Sequence, residues 1–216
     1  MYNWFSQVNS SRLYDNEGRF LPLVEEFYSI QGEGFNTGQA AYFIRLGGCD
    51  VGCRWCDSRY SWNPDLHPLV ATEKIIKNVI DSGTDSAVVT GGEPLMWNLD
   101  FLCSILKREK VKTFIETSGA YPLSGNWDWI CLSPKKNVPP LLEVCRLAHE
   151  LKIIVEDKSD FEWAEKYRAL VSPQCRLYLQ PEWSRFERII PEIVSYVKMI
   201  PVWNISLQAH KFMHIP

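Results

Sequence analysis

From residue 40 onward, apolar runs short enough to be strands alternate with segments whose apolar positions recur at helical spacing. AAYFIRLGG (40–48) reads as a strand entering a cysteine-rich loop, and TEKIIKNVIDSG (72–83) as a helix opened by Thr72 and stopped by Gly83. SAVVTGGEP (86–94) is a buried strand ending in a glycine turn. A helix is predicted near 97–108, then strands over VKTFIETSG (111–119) and WDWICLSPK (127–135). Helices near 140–149, 160–170 and 186–199 alternate with strands over KIIVED (152–157), CRLYLQPEW (175–183) and VWNISLQ (202–208). The alternation predicts an α/β fold: a parallel sheet with crossover helices, open or partly closed as a barrel. No repeat, low-complexity linker or second domain interrupts the pattern, so residues 1–216 read as a single domain.

Polar residues collect where the predicted strands end, at GGC, TGGEP, ETSG, SPK, QPE and QAHK. Glycine or proline after any one strand is ordinary turn punctuation. Parallel α/β folds bind ligands at the carboxyl ends of their strands, so the shared location of all these segments predicts one common cavity.

Composition acts mainly by exclusion. A hydrophobic content of 46% over 216 residues suffices for one substantial core without cross-links. The net charge of -3 gives no sign of a nucleic-acid binder and leaves a small polar or anionic substrate open. MYNWFSQVNSSRLYDNEGR (1–19) lacks the basic start and apolar run of a leader. Nothing in the chain approaches the ~18 apolar residues of a membrane span. The expectation is a cytoplasmic protein, where disulfides are rare, and an odd cysteine count of seven agrees.

GGCDVGCRWCDS (47–58) then demands an account of its three closely spaced thiols, Cys49, Cys53 and Cys56. A structural zinc site wants four ligands, usually two C-x2-C knuckles, and no second pair exists. C-x3-C-x2-C suits three irons of a 4Fe–4S cubane, leaving the fourth iron open to a substrate or cofactor. Cys103, Cys131, Cys145 and Cys175 stand alone in apolar runs and read as core, while His67 and His149 read as surface or packing residues.

That cysteine spacing after a strand, followed by TGGEP, resembles the radical S-adenosylmethionine (SAM) superfamily. Within it, SIQGEG (29–34), FIRLGGC (43–49), WCDS (55–58), TGGEP (90–94), ETSG (116–119), LSPK (132–135), LQPE (179–182) and SLQAHK (206–211) are together similar to the 7-carboxy-7-deazaguanine synthase family. The resemblance implies a compact, incomplete TIM-like barrel that forms a homodimer. It implies a lyase that rearranges 6-carboxy-5,6,7,8-tetrahydropterin to 7-carboxy-7-deazaguanine with loss of ammonia, in queuosine biosynthesis. A 5'-deoxyadenosyl radical made from SAM would abstract hydrogen, and hydrogen would later be returned to the deoxyadenosyl group so that the cofactor is regenerated. The electron would come from a reductase or flavodoxin-type donor.

Site roles follow from the same resemblance. Cys49, Cys53 and Cys56 would hold the cluster, and Gly91, Gly92 and Glu93 would meet the methionine ammonium. Trp55, Cys56, Asp57, Ser133, Pro134 and Lys135 would add further cofactor contacts. Ile30, Gln31 and Gly32 would read the polar pterin edge, Arg45 would fork onto the substrate carboxylate, and Thr90 and Pro216 would complete the substrate site. The family pattern has Thr where this chain has Ser58; the hydroxyl would serve as a ligand to Mg2+ in either case. Two other classes share the cysteine spacing. A glycyl-radical-enzyme activase would not need QGEG or QPE, and a non-catalytic iron–sulfur or zinc scaffold would not need TGGEP.

Overall fold

A computed structural model describes residues 17–216. The segment 1–16, most of the stretch read above for a leader, lies outside the described residues. The chain runs β1 (Phe20–Ile30), β2 (Ala40–Leu46), β3 (Leu69–Ala71), α1 (Thr72–Asp81), β4 (Ser86–Gly91), α2 (Asp100–Arg108), β5 (Lys112–Thr117) and β6 (Trp129–Leu132). It continues through α3 (Leu142–Leu147), β7 (Glu150–Val155), α4 (Ser159–Arg168), β8 (Arg176–Pro181), α5 (Phe186–Met199), β9 (Trp203–Ile205) and α6 (Ala209–Met213).

The nine strands of the described residues join one sheet in the order β3-β1-β2-β4-β5-β6-β7-β8-β9. From β2 to β9 every neighbouring pair is parallel. The terminal strands β3 and β9 do not meet, so the barrel is incomplete, as the resemblance implied.

Alternation along the strands separates two faces. Ile44, Val89, Ile115, Leu151, Ile153 and Leu179 pack outward into two apolar clusters, which include Ile75 and Val79 of α1, Leu102 and Leu106 of α2, and Ile189 and Ile193 of α5. Their neighbours in sequence, Arg45, Thr90, Glu116, Lys152, Ile154 and Gln180, turn to the other, concave face and line a cavity. One period-2 pattern thus builds the core and the lining together.

Two strands depart from the parallel scheme. β1 runs antiparallel to both β2 and β3. Its sequence, FLPLVEEFYSI, is broken by Pro22 and the Glu25–Glu26 pair and is only partly buried, so it lacks a clean strand period. β3 has three residues, too few for any period to show. The helix predicted near 97–108 begins at Asp100, because Pro94–Met96 forms a separate 3-10 turn. The last strand ends at Ile205 rather than continuing to Gln208, and the QAHK segment enters α6.

Candidate active site

The loops after β2, β4, β5 and β6 and the concave face enclose one cavity of about 260 Å³. The three loop thiols line it. Their loop is held from both sides: Gly48 N–H donates to Ser61 O (2.7 Å) and Cys49 N–H to Trp62 O (3.0 Å). From the loop after β6, Asn137 Nδ2 donates to Val51 O (3.1 Å) and Gly52 O (2.8 Å). All three cysteines are free and half-buried. Burial pushes the Cys49 thiol up to about 12, with the nearby Glu93, Cys53 and Cys56 adding to the rise. Burial also raises Cys53, against the opposing charge of Lys135.

The TGGEP turn is hydrogen-bonded to that loop. Gly92 N–H donates to Leu46 O (2.9 Å) and Glu93 N–H to Gly48 O (2.8 Å). Gly91 sits at φ +126, where a Cβ would lie 2.2 Å from Leu46 O, so no other residue lets the two strand ends approach this closely. Glu93 is 1% exposed. Its carboxylate accepts from Leu95 N–H (3.0 Å), Thr117 Oγ1 (2.5 Å), Ser118 N–H (2.7 Å) and the Ser118 hydroxyl. Glu93 therefore fastens the β4 turn to the β5 end as well as facing the cavity. Beside it, Lys135 Nζ donates to Ser133 Oγ (2.6 Å) and lies 5.2 Å from the Trp55 ring centroid. Burial lowers the Lys135 pKa, partly offset by Cys53. Pro134 is buried between Ser133 and Lys135 and does not itself line the cavity. Asp57 lines the rim and pairs with Lys211 of α6 at 3.2 Å.

The QGEG segment reaches the cavity from an unexpected direction. Because β1 is antiparallel, its carboxyl end pairs Ile30 with Ala40, at the amino end of β2. Residues 31–34 then span the gap to the last strand: Ala209 N–H donates to Gly32 O (2.9 Å) and Gly34 N–H to Ser206 Oγ (2.9 Å). They form a floor rather than a strand-end loop. Gly34, at φ +66, leaves room for Glu150, whose Oε1 would be 1.9 Å from a Cβ there.

Charged residues that the sequence reading did not select meet on this floor. Lys152 Nζ pairs with Glu33 and lies 3.9 Å from Glu116. Gln208 Nε2 donates to Glu33 (2.9 Å), and Gln31 Nε2 to Glu116 (3.0 Å). Burial works against the Glu33 charge, but Lys152 and Gln208 outweigh it and hold the carboxyl at about 2. Burial likewise opposes the Lys152 charge, and the surrounding carboxylates still carry its pKa well above the usual lysine value. His210 also lines the cavity, and burial lowers its pKa against the pull of Glu33. A lysine inside the apolar run KIIV and carboxylates within QGEG and ETSG were the available signals.

The remaining expected residues converge on the same space. Arg45 donates from Nε to Glu25 (2.6 Å), and its two terminal nitrogens bond no described residue. Thr90 Oγ1 donates to Glu116 (3.3 Å). Ile30 and Gly32 line the floor, and Pro216 lines the cavity with its carbonyl 3.4 Å from Ser29 Oγ. The Ser58 hydroxyl has one contact, Cys56 Sγ at 3.6 Å, and makes no helix-capping bond.

The radical SAM superfamily model matches residues 43–132, the stretch from β2 through the cysteine loop and TGGEP to β6. A 7-carboxy-7-deazaguanine synthase of Flavobacterium psychrophilum is 54% identical over 93% of this chain and 95% of its own length. The chain belongs to the 7-carboxy-7-deazaguanine synthase family. Another member, from Synechocystis, is 43% identical over 90% of this chain and 93% of its own. The crystal structure of QueE from Escherichia coli superposes with a TM-score of 0.79 at 28% identity, covering 88% of this chain and 95% of that one.

Membership in a radical SAM family implies a 4Fe–4S cluster and SAM, and the thiols fit that group. No three His, Cys, Asp or Glu side chains among the described residues gather closely enough to hold a single metal ion, the loop cysteines included. A cubane spreads its thiolate bonds over separate irons, and three free thiols lining one cavity suit it. The isolated cysteines Cys103, Cys131, Cys145 and Cys175 are all buried, as expected of core residues. No described helix is long and apolar enough to cross a membrane.

Proposed function

We propose that this chain converts 6-carboxy-5,6,7,8-tetrahydropterin to 7-carboxy-7-deazaguanine with loss of ammonia, in queuosine and related 7-deazapurine biosynthesis. The observation that carries the proposal is that one cavity holds three free thiols at its mouth and a paired-charge polar floor beneath. Bound at Cys49, Cys53 and Cys56, the cluster together with SAM supplies the one-electron chemistry that starts hydrogen abstraction.

The chain's own residues position the reactants and exclude water. Gly91 and Gly92 let the methionine end approach the backbone, while the charge of Glu93 favours its ammonium. Trp55, Asp57, Ser133 and Lys135 surround the rest of the cofactor, and the buried Pro134 acts from behind them by fixing the backbone between Ser133 and Lys135. On the floor, Gln31 with Ile30 and Gly32 reads the donors and acceptors of the pterin edge. Glu33, Glu116 and Lys152 hold that reading surface in place. The terminal nitrogens of Arg45 fork onto the substrate carboxylate, beside Thr90 and Pro216. The Ser58 hydroxyl, which caps no helix and meets only the Cys56 sulfur among the described residues, supports a hard-oxygen ligand role for Mg2+ shared with that carboxylate. Residues 1–216 act as a single domain in a cytoplasmic homodimer served by a reductase or flavodoxin-type electron donor.

The test is anaerobic reconstitution with iron and sulfide, followed by reduction in the presence of SAM, Mg2+ and the carboxypterin. The proposal expects a deazaguanine of the predicted mass. A protein that generates deoxyadenosine but ignores the pterin is an activase-like enzyme, and one that leaves SAM intact under every condition is a scaffold.

A further inference from the structure

A second, larger concavity of about 770 Å³ opens at the opposite end of the sheet, where β6, β7 and β8 begin. Its walls come from the tip of the β1–β2 hairpin, the β5–β6 loop, the end of α3 and the start of β8. It shares no lining residue with the catalytic cavity.

Its lining has a distinct chemistry. Phe35 stacks on Trp129 with ring centroids 4.8 Å apart, and Trp129 stacks on His149 at 5.5 Å. Arg176 adds its guanidinium over Phe35 at 5.5 Å, so the four groups form one column. Both ends of the column are exposed, at Arg176 and His149. His149 Nδ1 accepts from Ile130 N–H (3.1 Å), which leaves Nε2 as the ring's N–H donor. Arg146 completes the cationic side of the lining. Neither Arg146 nor Arg176 forms an ion pair with any described residue. No Asp or Glu among the described residues lines the concavity, in a chain whose net charge is -3. Glu150 sits behind Trp129 at 2% exposure, where it accepts from Trp129 Nε1 (3.0 Å) and Phe35 N–H (3.1 Å).

Two unpaired guanidiniums beside a stacked aromatic column are the complement of a planar anion. Guanidinium forks bind phosphate oxygens bidentately, and aromatic or guanidinium faces stack on a nucleobase. The concavity also falls in the usual size range of small-molecule sites, about 300–1,000 Å³. We propose that it binds a nucleoside monophosphate, with the base added to an end of the column and the phosphate on Arg146 and Arg176.

The test uses the reconstituted protein with its cluster oxidised, so that no turnover occurs, and with SAM and the carboxypterin saturating. Calorimetric titration with GMP should give one saturable site. Guanosine, which lacks the anion, and inorganic phosphate, which lacks the base, should each bind at least about tenfold more weakly. The Arg146→Gln/Arg176→Gln pair should lose about tenfold or more in GMP affinity. Turnover and thermal midpoint should stay unchanged, since neither side chain touches the catalytic cavity. Three results would overturn the proposal: no saturable binding up to about 1 mM, binding that appears only when SAM and the pterin are omitted, or binding that survives the double substitution. The first and third remove the site, and the second moves the nucleotide to the catalytic cavity. None bears on the synthase reading.

Discussion

Lys152 and Glu33, 119 residues apart in sequence, form a buried ion pair that ties β7 to the QGEG segment under the cavity. The Lys152 side chain is 5% exposed and that of Glu33 15%, so removing either partner strands a charge away from water. Lys152→Met leaves Glu33 and Glu116 facing each other and should cost about 3–5 kcal/mol of stability. Adding Glu33→Gln should recover a substantial part. Urea unfolding of the single and double variants measures the coupling.

The same pair sets an acid limit. Glu33 is held at about 2, below its ordinary value of 4.5. Its contribution is therefore complete above the unfolded value and is lost as pH falls from about 4.5 towards 2. Urea midpoints of wild type should fall through that window, and those of Glu33→Gln should fall less steeply.

Glu150 behaves in the opposite sense, because burial raises its pKa and the opposing Lys152 charge and its hydrogen bonds do not cancel the rise. Its folded-state proton stabilises the protein at low pH, and that contribution fades as pH rises through the folded value. Glu150→Gln keeps an oxygen for Phe35 N–H and Trp129 Nε1, which both bond Oε2. Measured by thermal midpoint, the variant should match wild type near pH 4 and gain on it by pH 7. Glu150→Leu, which strands both donors, should lose about 1–3 kcal/mol at every pH.

The alternation of apolar runs was enough to read the seven parallel strands, because each carries outward residues such as Leu151 and Ile153 that pack on helices. The concave face was legible only where a motif marked it. Cys49, Gly92 and Glu93 stand in short, compositionally unusual turns, and the resemblance carried Gln31 and Arg45. Lys152 and Ile154 sit in an ordinary strand, where their meaning depends on which face they occupy. The reversed direction of β1 was hidden as well. Nothing in FLPLVEEFYSI says that its end will close the gap beside β9 rather than join the other strand ends.

Asn137 bonds the backbone of the cysteine loop between Cys49 and Cys53, through Val51 O and Gly52 O, while Tyr121 holds the Asp50 side chain of the same stretch. Asn137→Ala should leave the fold intact and loosen that loop. In the reconstituted protein, iron release to a chelator should then run severalfold faster than in wild type. Equal release rates would remove Asn137 from the support of the cluster site.

Ser58 offers a test of the metal proposal, since its hydroxyl is not used as a cap. Ser58→Thr keeps the hard oxygen and should match or exceed wild-type turnover. Ser58→Ala removes it, and Ser58→Cys replaces it with a sulfur that Mg2+ disfavours, so both should fall well below. A magnesium titration of turnover should lose most of its response in Ser58→Ala.

The central claim is tested most directly by the stoichiometry of one anaerobic reaction containing reduced protein, SAM, Mg2+ and 6-carboxy-5,6,7,8-tetrahydropterin. The account predicts 7-carboxy-7-deazaguanine and ammonia in equal amounts, over many turnovers, with SAM returned rather than consumed. Consumption of SAM to deoxyadenosine without any deazaguanine or ammonia would contradict it.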